Sequence, residues 1–308
     1  MELTPAMTDR PSNQSPPSST RGESIFPEVK YRWPSIVVLA VVTATTLVLC
    51  PVYLWCYDLT AAEIGFFAFY TLASLFAVTL GYHRLFSHVA FKAAWPVRLF
   101  VLFFGGAAFE KSAMRWASLH RLHHRYTDTD RDPHNIKRGF LYAHVGWVCI
   151  DGAHYDYSNV RDLAKDPLVA FQDRHYKLWS RFTGLIVPFL LGALIGGWMY
   201  AILFPVAARI FLVLNSQFFI NSVAHTFGEQ NFDSTISARD HWLGVLLTNG
   251  DGFHNFHHRF PVDYRSGVRW FHWDPTKWLI WLCSLVGLTS DLKRVPTETI
   301  VRSRQQLR

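Results

Sequence analysis

Cysteine is scarce in this 308-residue chain. Cys50, Cys56, Cys149 and Cys283 are the only four, and none forms a Cys-x-x-Cys pair. That spacing fits neither a cysteine-ligated zinc site nor a disulfide framework, so the four are expected as packing residues in a reduced setting. Charge is scarce as well, at 17% of residues, and the scarcity is local. No charged residue occurs from Ser35 to Cys56 or from Ile64 to Tyr82, and Arg209 is the only one from Phe182 to Ala224. Helices of soluble domains keep a polar face. These stretches have none along their length, which argues against the core of a large soluble protein. No solenoid repeat is present. A simple secretory signal is excluded too, because about thirty polar residues, with Pro11, Pro16, Pro17 and a Ser/Thr run, precede the first apolar stretch. Residues 1–33 have too little apolar surface to fold and read as a disordered cytoplasmic tail.

What is abundant is apolar and aromatic surface, at 50% and 16% of residues. A bilayer core takes about 20 apolar helical residues to cross. Spans are expected at about 35–56, 63–82, 182–199 and 201–223, the last two forming a hairpin that turns near Gly196-Gly197. Trp95 to Ala108 and Lys277 to Leu288 are apolar but short, as interfacial segments are. Residues 34–293 read as one domain and 294–308 as a C-terminal tail. The net charge of +7 fits basic cytoplasmic loops better than a nucleic-acid surface. Tyr57 to Ala62 carries no Lys or Arg. The N-terminal tail and the segment after the second span carry many, including Arg10, Arg21, Arg84, Lys92, Arg98, Lys111 and Arg115. Both termini and the long middle segment are therefore expected in the cytoplasm. The fold class this implies is all-α and integral to the membrane, with four transmembrane helices and a cytoplasmic helical cap.

Fifteen histidines occur, and eight lie in three clusters: His83 and His88; His120, His123 and His124; His254, His257 and His258. A ninth, His225, follows Asn221 by four positions. Helical residues three and four apart share a face, so the members of each His-x-x-His-His box should point one way. His83 and His88, five apart, would diverge on a regular helix; they could serve one site if the helix bends there, or sit on two metals. The topology brings all four elements to one side of the membrane. Neutral imidazole is the commonest metal side-chain ligand and suits iron, zinc and copper. Nine are too many for one ion and fit two. His134, His144, His154, His175, His241 and His272 are isolated and read as surface or hydrogen-bonded residues.

One His-x-x-x-x-His and two His-x-x-His-His boxes beside four spans resemble the membrane fatty acyl desaturases, in particular the stearoyl-CoA desaturase branch of Δ9 type. Asp132-Pro133-His134-Asn135, Arg138-Gly139-Phe140, His144-Val145-Gly146-Trp147, Leu212-Val213-Leu214-Asn215 and Gly252-Phe253-His254-Asn255 extend the likeness over most of the chain. The resemblance implies two ferrous ions held by His83, His88, His120, His123, His124, His225, His254, His257 and His258, with Asn221 reaching one of them through water. It implies O2 as co-substrate and a cis double bond at position nine. Trp116 matches a tryptophan lining the family's acyl tunnel, and Phe218 replaces another. Two electrons would come from a separate ferredoxin or cytochrome b5-type donor and its reductase, since no flavin, haem-binding or cytochrome b5-type segment is evident. The setting expected is a bacterial inner membrane or its equivalent.

Metal-bound histidines donate their other ring N–H to carboxylates or carbonyls, and Asp128, Asp130 and Asp132 are candidates for that task. The chain departs from its animal relatives where an Arg-Asp pair and a later Arg-Lys pair help to bind the CoA thioester. Ser118-Leu119 and Asp151-Gly152 stand there instead. An acyl-CoA is the expected substrate, and a glycerolipid-bound acyl chain is the alternative. Fatty acid hydroxylation by the same kind of oxidant is a further reading. Metal transport is disfavoured, because it would put the ligands within the spans.

Overall fold

The structure, a computed structural model, describes residues 30–151 and 155–307. Residues 1–29 of the expected tail, and Gly152 and His154, lie outside the described residues. Two uninterrupted helices come first, α1 (Trp33–Cys56) and α2 (Ala61–Ser87). Thr60 starts α2 with a reciprocal cap: its Oγ1 accepts from the Glu63 N–H at 3.3 Å, and Glu63 Oε2 accepts from the Thr60 N–H at 2.7 Å. Next come α3 (Trp95–Ala107), α4 (Ala113–Tyr126) and α5 (Pro167–Arg174).

The long run Tyr176–His225 is broken at Gly197, whose φ of 81° suits glycine. Its arms, α6 (176–196) and α7 (198–225), fold back on each other. A Cβ on Gly192 would lie 3.2 Å from Ala201 Cβ, whereas nine residues of straight helix span about 13.5 Å. The tip rests on the start of α2, where the Tyr200 hydroxyl donates to the Glu63 carbonyl at 2.5 Å. The turn expected at Gly196-Gly197 is thus found at Gly197. Among the described residues, three helical runs, Trp33–Cys56, Ala61–Ser87 and Tyr176–His225, are long and apolar enough to cross a membrane. On α1 the side chains of Val37, Val38, Val41, Leu47 and Val48 are exposed, a surface that lipid covers at no hydrophobic cost.

Short elements complete the chain: α8 (Trp242–Leu247), α9 (His254–Arg259), α10 (Pro275–Leu285) and α11 (Thr297–Gln305). A two-stranded antiparallel pair, β1 (Lys92–Ala93) with β2 (Thr289–Ser290), ties the exit of α2 to the exit of α10. Within the stretch expected as a C-terminal tail, α11 buries Ile300 against Phe256 and Phe260, and Ser303 Oγ donates to the Phe232 carbonyl.

The main core joins α2, α3, α4 and α10 through Val78, Tyr82, Val101, Leu102, Ala117 and Ile280. α2 and α3 meet closely at glycine. A Cβ on Gly81 would fall 2.0 Å from Val101 Cγ1, and one on Gly105 would fall 2.5 Å from the Tyr82 ring. Gly81→Val is therefore expected to cost about 1–3 kcal/mol through overpacking, read as a lowered unfolding temperature in detergent. An unchanged unfolding temperature would count against this close contact.

Candidate metal centre

The first histidine pair depends on how α2 ends. From Ala77 to Ser87 the helix is wound with i→i+5 hydrogen bonds, and the His88 N–H continues them by donating to the His83 carbonyl at 3.2 Å. In that winding, residues five apart return to the same face. His83 and His88 therefore do not diverge, and their ring centres lie 5.0 Å apart. Arg121 secures this terminus, donating to the Phe86 and Ser87 carbonyls and to Asp162.

The two His-x-x-His-His boxes sit on α4 and α9, and each divides. On a helix, the fourth residue on is displaced by about 40° and the third by about 60° the other way. His120 and His124 accordingly join His83, His88 and His257, while His254 and His258 join His123 and His225. Each box thus gives its outer pair to one group and its middle member to the other, correcting the expectation that all three point one way. In each group the ligand atoms lie within 4.8 Å of one another. His124 and His258 stack between the two groups at 4.2 Å.

The inward atoms are Nε2. His257 Nε2 lies 2.9 Å from both His83 Nε2 and His124 Nε2, and His88 Nε2 lies 2.8 Å from His120 Nε2. In the other group, His254 Nε2 is 3.0 Å from His225 Nε2 and 3.1 Å from His258 Nε2, and His123 Nε2 is 3.2 Å from His258 Nε2. Metal–nitrogen bonds of about 2.1 Å put two ligands at right angles about 3.0 Å apart. The Nδ1 atoms face outward. His83 Nδ1 meets Asp251 Oδ2 and His123 Nδ1 meets Asp132 Oδ1, each at 2.8 Å, and His225 Nδ1 meets Ser237 Oγ at 2.7 Å. A carboxylate accepts the Nδ1 proton and leaves Nε2 with its lone pair. Facing lone pairs repel unless a cation lies between them, so the donor set fits two metal ions.

Burial, followed by repulsion from neighbouring imidazoles, holds His88, His120, His254, His257 and His258 well below the ordinary imidazole range. Neutral imidazole is the form that binds metal. The unfolded chain binds more protons below about pH 6.5, so stability is present above that value and lost as pH falls. Metal-free protein is expected to lose up to about 1.4 kcal/mol per pH unit for each such histidine. Thermal unfolding between pH 7.5 and about 5 checks it, and a flat profile would contradict it.

A cavity of about 40 Å³ borders both groups, lined by His83, His120, His123 and His254 with Trp116, Glu110 and Asn221. Trp116 stacks on His120 with ring centres 4.7 Å apart. Phe218 is placed elsewhere, in an apolar groove of about 600 Å³ between α1 and α7 that also reaches Glu110, Lys111 and Trp147. The two aromatics thus stand in adjoining cavities.

Residues 61–283 match the family described as fatty acid desaturase, well over half of the chain. The chain belongs to the fatty acid desaturase family. With helices long and apolar enough to span a bilayer, this desaturase-family protein is integral to the membrane. It is 42% identical to "Acyl-CoA desaturase 1" of Saccharomyces cerevisiae, over 76% of this chain and 47% of that protein. It is 46% identical to "Probable acyl-CoA desaturase" of Schizosaccharomyces pombe, over 72% of this chain and 47% of that one. The corresponding figure for "Stearoyl-CoA desaturase" of Homo sapiens is 34%, over 91% and 79%. The chain spans about half the length of the two yeast relatives.

Of the three candidate aspartates, Asp132 reaches a histidine directly. Asp128 acts at one remove, accepting from Ser237 N–H and Oγ. Asp130 is exposed and reaches none. Sequence reasoning missed Asp251 and Ser237. Asp251 stands three residues before the third box, but only the fold shows that it faces His83 and Arg84. His134 also departs from expectation: it is buried, its Nδ1 has no partner, and its ring packs on His123 and Trp147. His144 fits the hydrogen-bonded reading through Ser222 and Asn215, and His241 fits it by capping α8 at Gly244.

Proposed function

We propose that this protein is an acyl-CoA desaturase that inserts a cis double bond at position nine of a saturated chain. It would use O2 and two electrons from an external ferredoxin or cytochrome b5-type donor with its reductase. The observation that carries the reading is the division of nine inward Nε2 atoms into groups of five and four around one aromatic-walled cavity. His83, His88, His120, His124 and His257 would hold one iron. His123, His225, His254 and His258 would hold the other, with Asn221 reaching it through water. The reaction needs such metals because an unactivated methylene has no acidic proton, and the irons would supply the activation of O2 that side chains lack.

The chain's own residues do the rest. Asp251, Asp132 and Ser237 hold the imidazoles in the ligating tautomer. Trp116 and Phe218 present aromatic walls to the acyl chain, and apolar lining excludes water. The relatives' printed names favour a CoA thioester. One observation favours a glycerolipid-bound chain: Leu119 and Asp151, at the positions that differ from the animal pairs, line a surface cavity of about 550 Å³ with four aspartates against Arg131 and Arg138. That balance does little to attract a CoA phosphate.

The reversal at Gly197 supports four crossings by α1, α2, α6 and α7, within one domain over residues 34–293. The excess of Lys and Arg beyond α2 supports a cytoplasmic metal centre and cytoplasmic termini. Expression in a host lacking unsaturated fatty acids tests the function. New double bonds at position nine are expected, first in the acyl-CoA pool. Appearance first in glycerolipid would favour the second carrier, and no new unsaturation in iron-replete cells would sink the reading.

A further inference from the structure

Among the polar groups of the cavity wall that the metal reading does not use, Glu110 is the carboxyl. Glu110 is 6% exposed, and its Oε1 has no hydrogen-bond partner. A buried carboxyl oxygen left unpaired is costly and rare. Its backbone is costly too. Glu110 sits in the turn between α3 and α4, flanked by Phe109 and Lys111 with φ of 60° and 76°, a left-handed conformation disfavoured for such side chains. The turn is anchored on three sides. Buried Arg209 donates to the Ala107 carbonyl. Phe109 packs where a Cβ on Gly184 would come within 2.5 Å of its ring. The Lys111 ammonium lies 4.5 Å from the centre of the Trp147 ring. Glu110 is thus held where the histidine cavity meets the apolar groove.

The desaturase reading, on which this inference rests, sets a proton requirement. Two C–H bonds of the acyl chain break and one C=C bond forms. The chain gives up two electrons and the donor gives two. O2 takes all four and leaves as two water molecules, so two protons must enter from outside for each double bond. His83, His123 and His225 are poor sources, with Nε2 facing inward and Nδ1 already paired with Asp251, Asp132 and Ser237. We propose that Glu110 is a proton donor of this reaction, supplying the Oε1 proton on the path from O2 to water.

The electrostatics agree. Burial pushes the Glu110 carboxyl up to about 7, against the pull of Lys111 and of the Trp116 hydrogen bond. Burial draws Lys111 down to about 8, with Glu110 opposing and Arg32 and Arg115 adding to it. A carboxyl poised near neutrality can both release and regain a proton. The other titratable groups facing Glu110 are the phenols of Tyr82 on α2 and Tyr176 on α6. His83, His120, His123, His134 and His254 line the same cavity.

Glu110→Gln and Glu110→Asp test the proposal. In metal-free protein, an infrared carbonyl band of a protonated carboxyl should fade near pH 7 and be missing from the Gln variant. That variant should bind iron as the parent does, keep its KM, and turn over about 100-fold more slowly with a flattened pH profile. It should also consume more O2 per double bond. The Asp variant, which still carries a proton, should recover about tenfold over Gln. The proposal is overturned if the Gln variant keeps the titrating band, if it loses iron, or if it desaturates at the parental rate and pH profile. If the parent protein forms no double bonds, the desaturase reading fails, while the infrared titration still reports on Glu110.

Discussion

Replacing His257 with alanine is expected to empty the five-histidine site and abolish double-bond formation. His257 is the shared vertex of its group, with Nε2 2.9 Å from the Nε2 atoms of both His83 and His124. Without it, the remaining four histidines of the group come only from the end of α2 and from α4, and α9 no longer closes the site. The loss of activity should exceed the about 100-fold seen when mere supporting partners of a metal ligand are removed. Stability separates this role from a structural one. In metal-free protein the substitution removes one imidazole from a crowded neutral cluster, so the unfolding temperature should change little. A purely hydrogen-bonding His257 predicts the reverse, a marked fall in metal-free stability with iron retained. Iron per protein and thermal unfolding with and without metal decide between the two.

Asp251→Ala should act on both the fold and the metal. The Asp251 carboxylate accepts from His83 Nδ1 at 2.8 Å and from Arg84 Nη2 at 2.6 Å, and all three side chains are buried. Breaking a buried ion pair from one side typically costs about 3–5 kcal/mol, because the other charge is left uncompensated. Asp274, 3.0 Å from Arg84 Nη2, should hold the loss toward the lower end, and an Asp251–Asp274 double variant should be far from additive. Metal affinity should fall by about 10–100-fold as His83 loses its orienting partner. Asp251→Asn is the more telling change. Its amide cannot accept from both donors, so one contact inverts. If the NH2 turns to His83, the ring must carry its proton on Nε2 and cannot ligate. Iron content measured beside the unfolding temperature checks both effects. Unchanged iron binding in the Asn variant would count against the tautomer argument.

Much of this protein was legible in the sequence because its strongest signals are local. A run without charge, such as Ser35 to Cys56, must find an apolar medium whatever its neighbours do, and α1 follows it almost residue for residue. The histidine spacings marked a candidate metal centre for the same reason: i, i+3 and i+4 relations are set by helix geometry alone. Asp132 was reachable because it lies nine residues from His123 in one continuous segment.

What tertiary structure decided was the partition and support of those histidines. The sequence by itself determined which nine histidines come together, that long apolar helices run beside them, and that the chain turns back near Gly197. It left open how His83 and His88 could share a site, and the i→i+5 winding of α2 answered that. That segment is held by non-local contacts, Gly81 and Tyr82 against α3 and Arg84 on Asp251, Ser266 and Asp274, which no local propensity encodes. The exchange of His123 and His257 between groups depends on how α4 and α9 face each other across the cavity. Asp251 and Glu110 acquire meaning only from partners more than a hundred residues away, or from a partner that is missing. Burial and non-local contact set the chemistry of both groups, and neither is written in the spacing of residues along the chain.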